Sequence, residues 1–492
     1  MIKSILQDFT SQIEVKIAEL SKELQQSLDF AKVEQTLTGQ VNQFVAQVLE
    51  QILNEVLSEP EILSVLRELG GKKAMRFKEY REVAVRLGNG QIIKVCSPYF
   101  LKATPKRGPK KQGPNGRGNH LGLEVLGFIG RCSVNLVSEV VESALLCPSF
   151  DIAESVLKRR GIAIDLKTIR RLCSELGKRG IEFRGEISLE GSEDLAGQTL
   201  VIGIDGGRVR ERTNKRGRKK QGQKRQGFYT PWREPKLFTL YLQDEQGRII
   251  REFAPLHDAT MGDHKELFAL LKKYLKALDL SKVSRIVFCG DGSEWIWLGI
   301  QALLSELDLE PSQIYQVLDY THAKQNLQEI IDLVSEKDTK QHKIDQKWKE
   351  LLWNGDIMGL RREISGILNH KKKKAGLKKW KNYFETNQKR MQYARFKKEG
   401  LPCGSGCVES AIRRVINLRL KAPGSFWKRE MAEYFLFLRS QLLSGRWDIF
   451  IKNVSALKRH ELDQGVNDER KKLDQGVNDE ISDSSQHWSE AA

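Results

Sequence analysis

The segment from residue 200 to residue 334 constrains the fold more tightly than any other, because apolar runs of strand length alternate there with helix-length amphipathic stretches. Strands are predicted over residues 200–205, 237–243, 249–254, 285–291 and 314–319, and helices over 263–278, 295–307 and 323–334. The strands are short apolar runs bounded by turn residues, and the helices show apolar residues at three- and four-residue spacing. Three strands in succession form an antiparallel meander, whereas strands separated by helices pair in parallel. The predicted sheet is therefore mixed.

The first strand lies in Thr-Leu-Val-Ile-Gly-Ile-Asp-Gly-Gly (199–207) and delivers Asp205 onto a glycine pair, which lets the backbone turn sharply and leaves room for a ligand. The fourth ends in the same way, with Asp291 in Cys-Gly-Asp-Gly-Ser (289–293). A meander followed by helix–strand alternation is the order of the ribonuclease-H-like fold. The expected fold class is α/β, a ribonuclease-H-like mixed five-stranded sheet interrupted by an all-helical insertion, with a mainly helical N-terminal region. In that order the first and fourth strands are neighbours, which sets Asp205 beside Asp291. Two such carboxylates repel unless a cation sits between them, and hard oxygen donors at an open site suit Mg²⁺ or Mn²⁺.

A third carboxylate is expected from a helix beside those strand ends. Gly-Ser-Gly-Cys-Val-Glu-Ser (404–410) supplies Glu409, with Ser405 as N-cap and Glu409 in the first turn, where the helix dipole favours the ionised acid. Arg413 and Arg414, one turn on, are placed to contact phosphate. Asp319 also closes a strand and is the alternative third ligand. Taken singly, Glu409 also reads as a capping acid and Asp291 as a turn residue.

Charge indicates the kind of substrate. Lys and Arg number 82 against 64 Asp and Glu, a net charge of +18, so a polyanion is the expected partner and nucleic acid the first candidate. Residues 208–225 hold ten Lys or Arg and one acid, Glu211. A solvated face mixes signs, so this block reads as a phosphate-contacting loop, disordered until substrate arrives, with Arg208, Arg210, Arg216, Arg218, Lys219 and Lys220 as candidate DNA contacts.

The remaining chain divides by composition. Residues 1–70 are a helical N-terminal region, and 76–119 combine a β-hairpin around Gly88-Asn89-Gly90 with an exposed basic linker. Residues 120–197 are helical, and two helices joined at Gly161 form a candidate helix-turn-helix with Arg170 and Arg171 on the second. The catalytic domain is read as 198–334 together with 401–450, split by a basic helical insertion at 335–400 whose Trp348, Trp353 and Trp380 read mainly as its core. Residues 451–492, with Leu-Asp-Gln-Gly-Val-Asn-Asp-Glu occurring twice, read as a disordered tail. Seven scattered cysteines carry no zinc spacing and read as reduced thiols, and no apolar run is long enough for a membrane span. The expected location is cytoplasmic and nucleoid-associated, with no membrane partner.

These motifs together resemble those of bacterial insertion-sequence transposases of the DDE type, in the Mutator-like group that carries a helical insertion before the final Glu. The resemblance covers about residues 198–448. It rests on Gly203-Ile204-Asp205-Gly206, Gly290-Asp291-Gly292, Leu318-Asp319-Tyr320-Thr321-His322, and Arg390-Met391-Gln392-Tyr393 leading into Gly404 to Ser410. It implies that Asp205, Asp291 and Glu409 are the catalytic metal ligands for two Mg²⁺ or Mn²⁺ ions, and that Asp319 and His322, which match the family's Cys-or-Asp, two residues, His signature, support the site or the DNA. The implied activity is metal-dependent DNA cleavage and strand transfer on double-stranded DNA, at terminal inverted repeats and target, by a homodimer or larger assembly. A ribonuclease-H-like nuclease or resolvase without strand joining, and a non-catalytic regulator derived from a transposase, are the competing readings.

Overall fold

The computed structural model describes residues 2–102, 118–182, 184, 195–217, 226–307, 309–334, 341–367 and 370–456. The chain forms two compact units, residues 1–176 with 448–492, and residues 177–447. Most of the basic linker, the basic residues Arg218, Lys219 and Lys220, and the repeated acidic octapeptide lie outside the described residues. Among the described residues no helix is long and apolar enough to cross a membrane.

The first unit opens with α1 (Ile2–Ser27), α2 (Phe30–Ser58) and α3 (Pro60–Lys72). Phe9 stacks on Phe44 with centroids 3.8 Å apart, which joins α1 to α2. The predicted hairpin is present and longer than the alternating pattern indicated: β1 (Met75–Arg86) pairs antiparallel with β2 (Ile92–Lys102), and β2 with β3 (Gly118–Asn119). Then follow α4 (Leu121–Val125), α5 (Val134–Leu146), α6 (Phe150–Arg159) and α7 (Leu166–Glu182). Ser149 caps α6 through Ile152 N, Asp165 accepts from Thr168 N at 2.9 Å to start α7, and Gly161 adopts φ +81° in the turn between them. The two-helix reading of this stretch therefore has its caps in place.

The second unit contains β4 (Thr199–Gly206), the short strands β5 (Val209–Arg210), β6 (Thr213–Asn214), β7 (Phe228–Tyr229) and β8 (Trp232–Arg233), then β9 (Lys236–Gln243), β10 (Leu256–Thr260), α8 (His264–Ala277), β11 (Arg285–Gly290), α9 (Glu294–Ser305), β12 (Ile314–Leu318) and α10 (Tyr320–Val334). Its sheet is five-stranded and mixed, in the order β10-β9-β4-β11-β12. The first three strands pair antiparallel, and β11 joins β4 and β12 in parallel. The adjacency expected for the first and fourth strands is thus present.

The third strand differs from the expectation. It runs Leu256–Thr260, and of the predicted 249–254 segment only Ile249 makes a bridge, to Gln243. His257 and Asp258 disguise it, because a fully buried strand seldom carries a charged side chain. Here Asp258 is buried against Arg184, whose Nε lies 2.9 Å from Asp258 Oδ2 and whose Nη1 lies 2.6 Å from Glu433 Oε1; the Tyr274 hydroxyl adds a bond at 3.2 Å. A buried carboxylate paired in this way is tolerated, and a lone one is not.

The insertion is helical, with α11 (Gln341–Trp353), α12 (Ile357–Ile367) and α13 (His370–Trp380), a π-turn at Lys381–Glu385, and α14 (Tyr393–Lys398). Trp348, Trp380, Phe384 and Tyr393 are buried in its core, and Trp353 packs edge-on against Tyr320, so these tryptophans are packing residues. Then come α15 (Gly406–Ala411), a π-helical stretch at Ile412–Asn417, α16 (Leu418–Leu420) and α17 (Arg429–Leu443). After a turn at 444–446, residues 447–456 form a further helix, which from residue 448 on belongs to the first unit, so the first six residues of the segment read as a disordered tail are ordered.

Candidate active site

Three aspartates lie in a row at the carboxyl ends of three adjoining parallel strands. Ile204 pairs with Gly290, and Gly290 with Leu318; Asp205, Asp291 and Asp319 are each the next residue. Asp319 N donates to Gly290 O at 2.9 Å, which extends the β11–β12 register up to the site. Carboxyl ends of parallel strands are where open α/β sheets place their ligands, because the chain leaves the sheet there and frees space.

Glycines record which face the fourth carboxylate covers. A Cβ on Gly203 would stand 2.9 Å from Val408 Cβ, and one on Gly207 would stand 2.6 Å from Ile416 Cδ1. Residues 203, 205 and 207 point to one face of β4, so α15 and the turn after it lie on the face to which Asp205 projects. Glu409 follows Val408 on that helix. At Gly292, next to Asp291, a Cβ would come within 2.2 Å of the Tyr383 ring.

Asp319 is the most heavily bonded member. Its Oδ1 accepts from His322 N at 2.7 Å and faces His322 Nδ1 at 3.1 Å; its Oδ2 accepts from Ser405 N and lies 2.7 Å from Ser405 Oγ. The Ser405 hydroxyl is also 3.0 Å from Glu409 Oε1, so its one proton can be donated to either carboxylate. A carboxylate offers about four lone-pair positions, and Asp319 has all of them engaged. Asp319, the alternative third ligand, is thereby the organiser of α10 and α15. Ser405 occupies the N-cap position of α15 as expected, but its hydroxyl makes no capping bond; it serves the carboxylates instead.

Electrostatics follow from this packing. Burial, together with the charges of Asp291 and Glu409, raises Asp205 from the ordinary 3.8 to about 6, although Gly206 N donates to it at 2.6 Å and His322 opposes the rise. Burial pulls Asp319 the other way from its final value: the hydrogen bonds from His322 and Ser405 outweigh it and hold the group at about 2. The bond to Asp319 raises His322, against its burial, and the charges of Asp319, Asp291 and Asp205 add to the rise. Asp291 accepts from Ser293 N at 2.8 Å and from Ser293 Oγ at 3.0 Å, while Trp297 Nε1 donates to its carbonyl at 2.9 Å. Among the described residues, the group whose ligating atoms lie within 4.8 Å of one another is Asp319, His322 and Glu409; Asp205 and Asp291 stand beside it and act on it through their charges. Clustered, partly buried acids with one of them forced toward its neutral form are what a divalent cation relieves, so the donor set fits such an ion.

The basic residues fall into separate groups. Arg208, Arg210 and Arg216 are exposed on the segment that leaves β4 just after Asp205. Its root is ordered where disorder was expected: β5 pairs with β8 and β6 with β7, while Arg210 lies over the Trp232 ring at 4.9 Å, Arg212 over Phe228 at 4.3 Å and Lys215 over Tyr229 at 4.9 Å. Backbone bonds between Arg210, Arg212 and Trp427 anchor this ribbon. The cations of this block thus alternate with aromatic partners on the returning strand, a pairing that a one-signed run does not reveal. Arg413 and Arg414 are exposed on the π-helical turn. In the first unit Arg170 lies over the Phe150 ring at 5.2 Å, and Arg171 is engaged by Glu175 at 2.9 Å and by Gly130 O at 3.2 Å, which is a packing arrangement. Sequence reasoning missed Ser405 as a carboxylate partner, and it missed Tyr383 and Trp297; the glycine at 292 was the available signal for Tyr383.

No protein-family model matches the chain, and no curated protein matches it. Among solved structures it is similar to one described as a Drosophila P element transposase strand transfer complex, with 13% identity, 70% of this chain and 86% of that chain covered, and a TM-score of 0.23. A superposition that loose identifies neither fold nor activity. The fold and site define a mixed α/β protein with a carboxylate–histidine cluster at the ends of parallel strands.

Proposed function

We propose that this chain is a DDE-type transposase on a ribonuclease-H-like sheet, which cleaves and joins DNA at the ends of an insertion sequence with two Mg²⁺ or Mn²⁺ ions. The observation that carries the reading is that Asp205 and Asp291 leave adjoining strand ends and that Asp205 feels the charges of both Asp291 and Glu409, the latter on the helix packed over β4. The strand order β10-β9-β4-β11-β12 and the helical insertion before Glu409 agree with it.

In this reading Asp205, Asp291 and Glu409 hold the ions. Bound there, the ions supply Lewis-acid activation of an attacking oxygen and neutralise charge at the leaving oxygen. The protein's own residues do the rest. Asp319 fixes the start of α10 and, through Ser405, the orientation of Glu409. Ser293 and Trp297 hold the loop that carries Asp291. Arg208, Arg210, Arg216, Arg413 and Arg414 bind backbone phosphates of terminal repeat and target, which makes affinity steeply salt-dependent. Two element ends require at least a dimer in the assembled complex.

The test is incubation of purified protein with a DNA fragment carrying the borders of the gene and a target plasmid. Divalent-metal-dependent nicking at the borders followed by joined product is expected. Nicking without joining would make the protein a nuclease, and binding without either would make it a regulator.

A further inference from the structure

His322 has a role that the three-carboxylate reading leaves unassigned. It is the third residue of α10, and its Nδ1 faces Asp319 Oδ1 at 3.1 Å. Asp319 also accepts from His322 N, Ser405 N and Ser405 Oγ, so its Oδ1 is an acceptor toward the ring and Nδ1 is the nitrogen that carries the proton. The other ring nitrogen, Nε2, is the one left to take either a second proton, which the surrounding carboxylates favour, or a metal ion in that proton's place. Asp319, His322 and Glu409 lie within 4.8 Å of one another by their ligating atoms, and the imidazole also feels the charges of Asp291 and Asp205. A carboxylate that fixes the tautomer of an imidazole beside a carboxylate cluster is the arrangement by which proteins prepare a histidine to bind metal.

We infer that His322 Nε2 is a nitrogen ligand of one of the two ions, with Asp319 as its orienting partner, so that one metal position is mixed nitrogen and oxygen and favours Mn²⁺ over Mg²⁺. This rests on the reading of the cluster as a divalent-metal site. Imidazole suits first-row transition ions, whereas Mg²⁺ prefers oxygen donors alone, so the nitrogen biases the site without excluding Mg²⁺.

The test uses the full chain loaded with Mn²⁺ and read by electron spin echo modulation, which detects a directly bound nitrogen. Nitrogen modulation is expected in the wild type, changed in frequency when histidine is supplied as ¹⁵N and lost in His322→Gln. The same substitution should weaken Mn²⁺ binding by more than the roughly 10- to 100-fold that loss of an orienting partner costs, and Mg²⁺ binding less. The isotope experiment needs no variant, so a misfolded His322→Gln does not blunt the test. Mn²⁺ bound in an Asp205- and Asp291-dependent manner without nitrogen modulation would overturn this ligand assignment and leave the three-carboxylate site standing. Mn²⁺ binding unaffected by Asp205→Asn and Asp291→Asn would overturn both.

Discussion

Asp205→Asn should stabilise the metal-free protein, and the gain should depend on pH. Asparagine keeps the shape and the acceptor for Gly206 N, at 2.6 Å in the wild type, and removes only the charge. Burial and the neighbouring acids raise Asp205 from 3.8 to about 6 in the fold. At about 1.4 kcal/mol per tenfold in the proton equilibrium, ionising it in place costs up to about 3 kcal/mol, and partial access to water brings the expected figure to about 1–3 kcal/mol. Because the folded value lies above the unfolded one, the wild type is relatively most stable below about pH 4, loses that stability as pH rises through about 6, and is flat above. The advantage of the asparagine variant should therefore be near zero at pH 4 and complete by pH 7.5. Paired urea titrations in EDTA at the two pH values measure it, with a midpoint shift of about 1 M expected at the higher pH. Adding Mn²⁺ should reverse the order, since only the wild type gains binding energy. An equal midpoint at pH 7.5, or a difference that does not change between pH 4 and 7.5, would refute the electrostatic account of the cluster.

Other outcomes follow from the same contacts. Metal affinity should rise with pH through about 6 as the raised Asp205 releases its proton, and go on rising above it while His322, also raised, gives up its own; calorimetry in buffers of different ionisation enthalpy would count those protons. Ser405→Ala removes the hydroxyl lying 2.7 Å from Asp319 and 3.0 Å from Glu409; it should cost about 1–2 kcal/mol by thermal unfolding and slow metal-dependent turnover more than it weakens DNA binding. Gly292→Ala drives a Cβ to 2.2 Å from the Tyr383 ring and should cost about 1–3 kcal/mol, most of it recovered when Tyr383→Ala is added in a double-mutant cycle. Arg184→Met leaves Asp258 and Glu433 without their cation and should cost about 3–5 kcal/mol, read as a lowered melting temperature.

Most of the sheet was legible because its strands are apolar runs, and the ends of β4 and β11 are marked by glycine next to aspartate. Asp205 and Asp291 could be placed for that reason, and their strands are adjacent and parallel. Leu256–Thr260 was not legible, since its burial depends on Arg184, 74 residues from Asp258, and no local pattern reports so distant a counter-ion. The same holds for Ser405, whose sequence neighbourhood reads as a helix cap while its hydroxyl serves an aspartate 86 residues away. The basic block after Asp205 looked unstructured because charge alone cannot bury surface. Its order comes from Phe228, Tyr229 and Trp232 on the returning strand and from backbone pairing with Trp427.

Asp205, Asp291 and Glu409 are proposed to act as one metal-binding unit for phosphoryl transfer on DNA. The most direct measurement is joining of a pre-cleaved element end to target DNA in Mg²⁺ or Mn²⁺, by the wild type and by Asp205→Ala, Asp291→Ala and Glu409→Ala, with end binding measured in parallel. The expected result is loss of joining by at least about a thousandfold in each variant, with end binding retained. Joining at near wild-type rate by any one of the three would contradict the account.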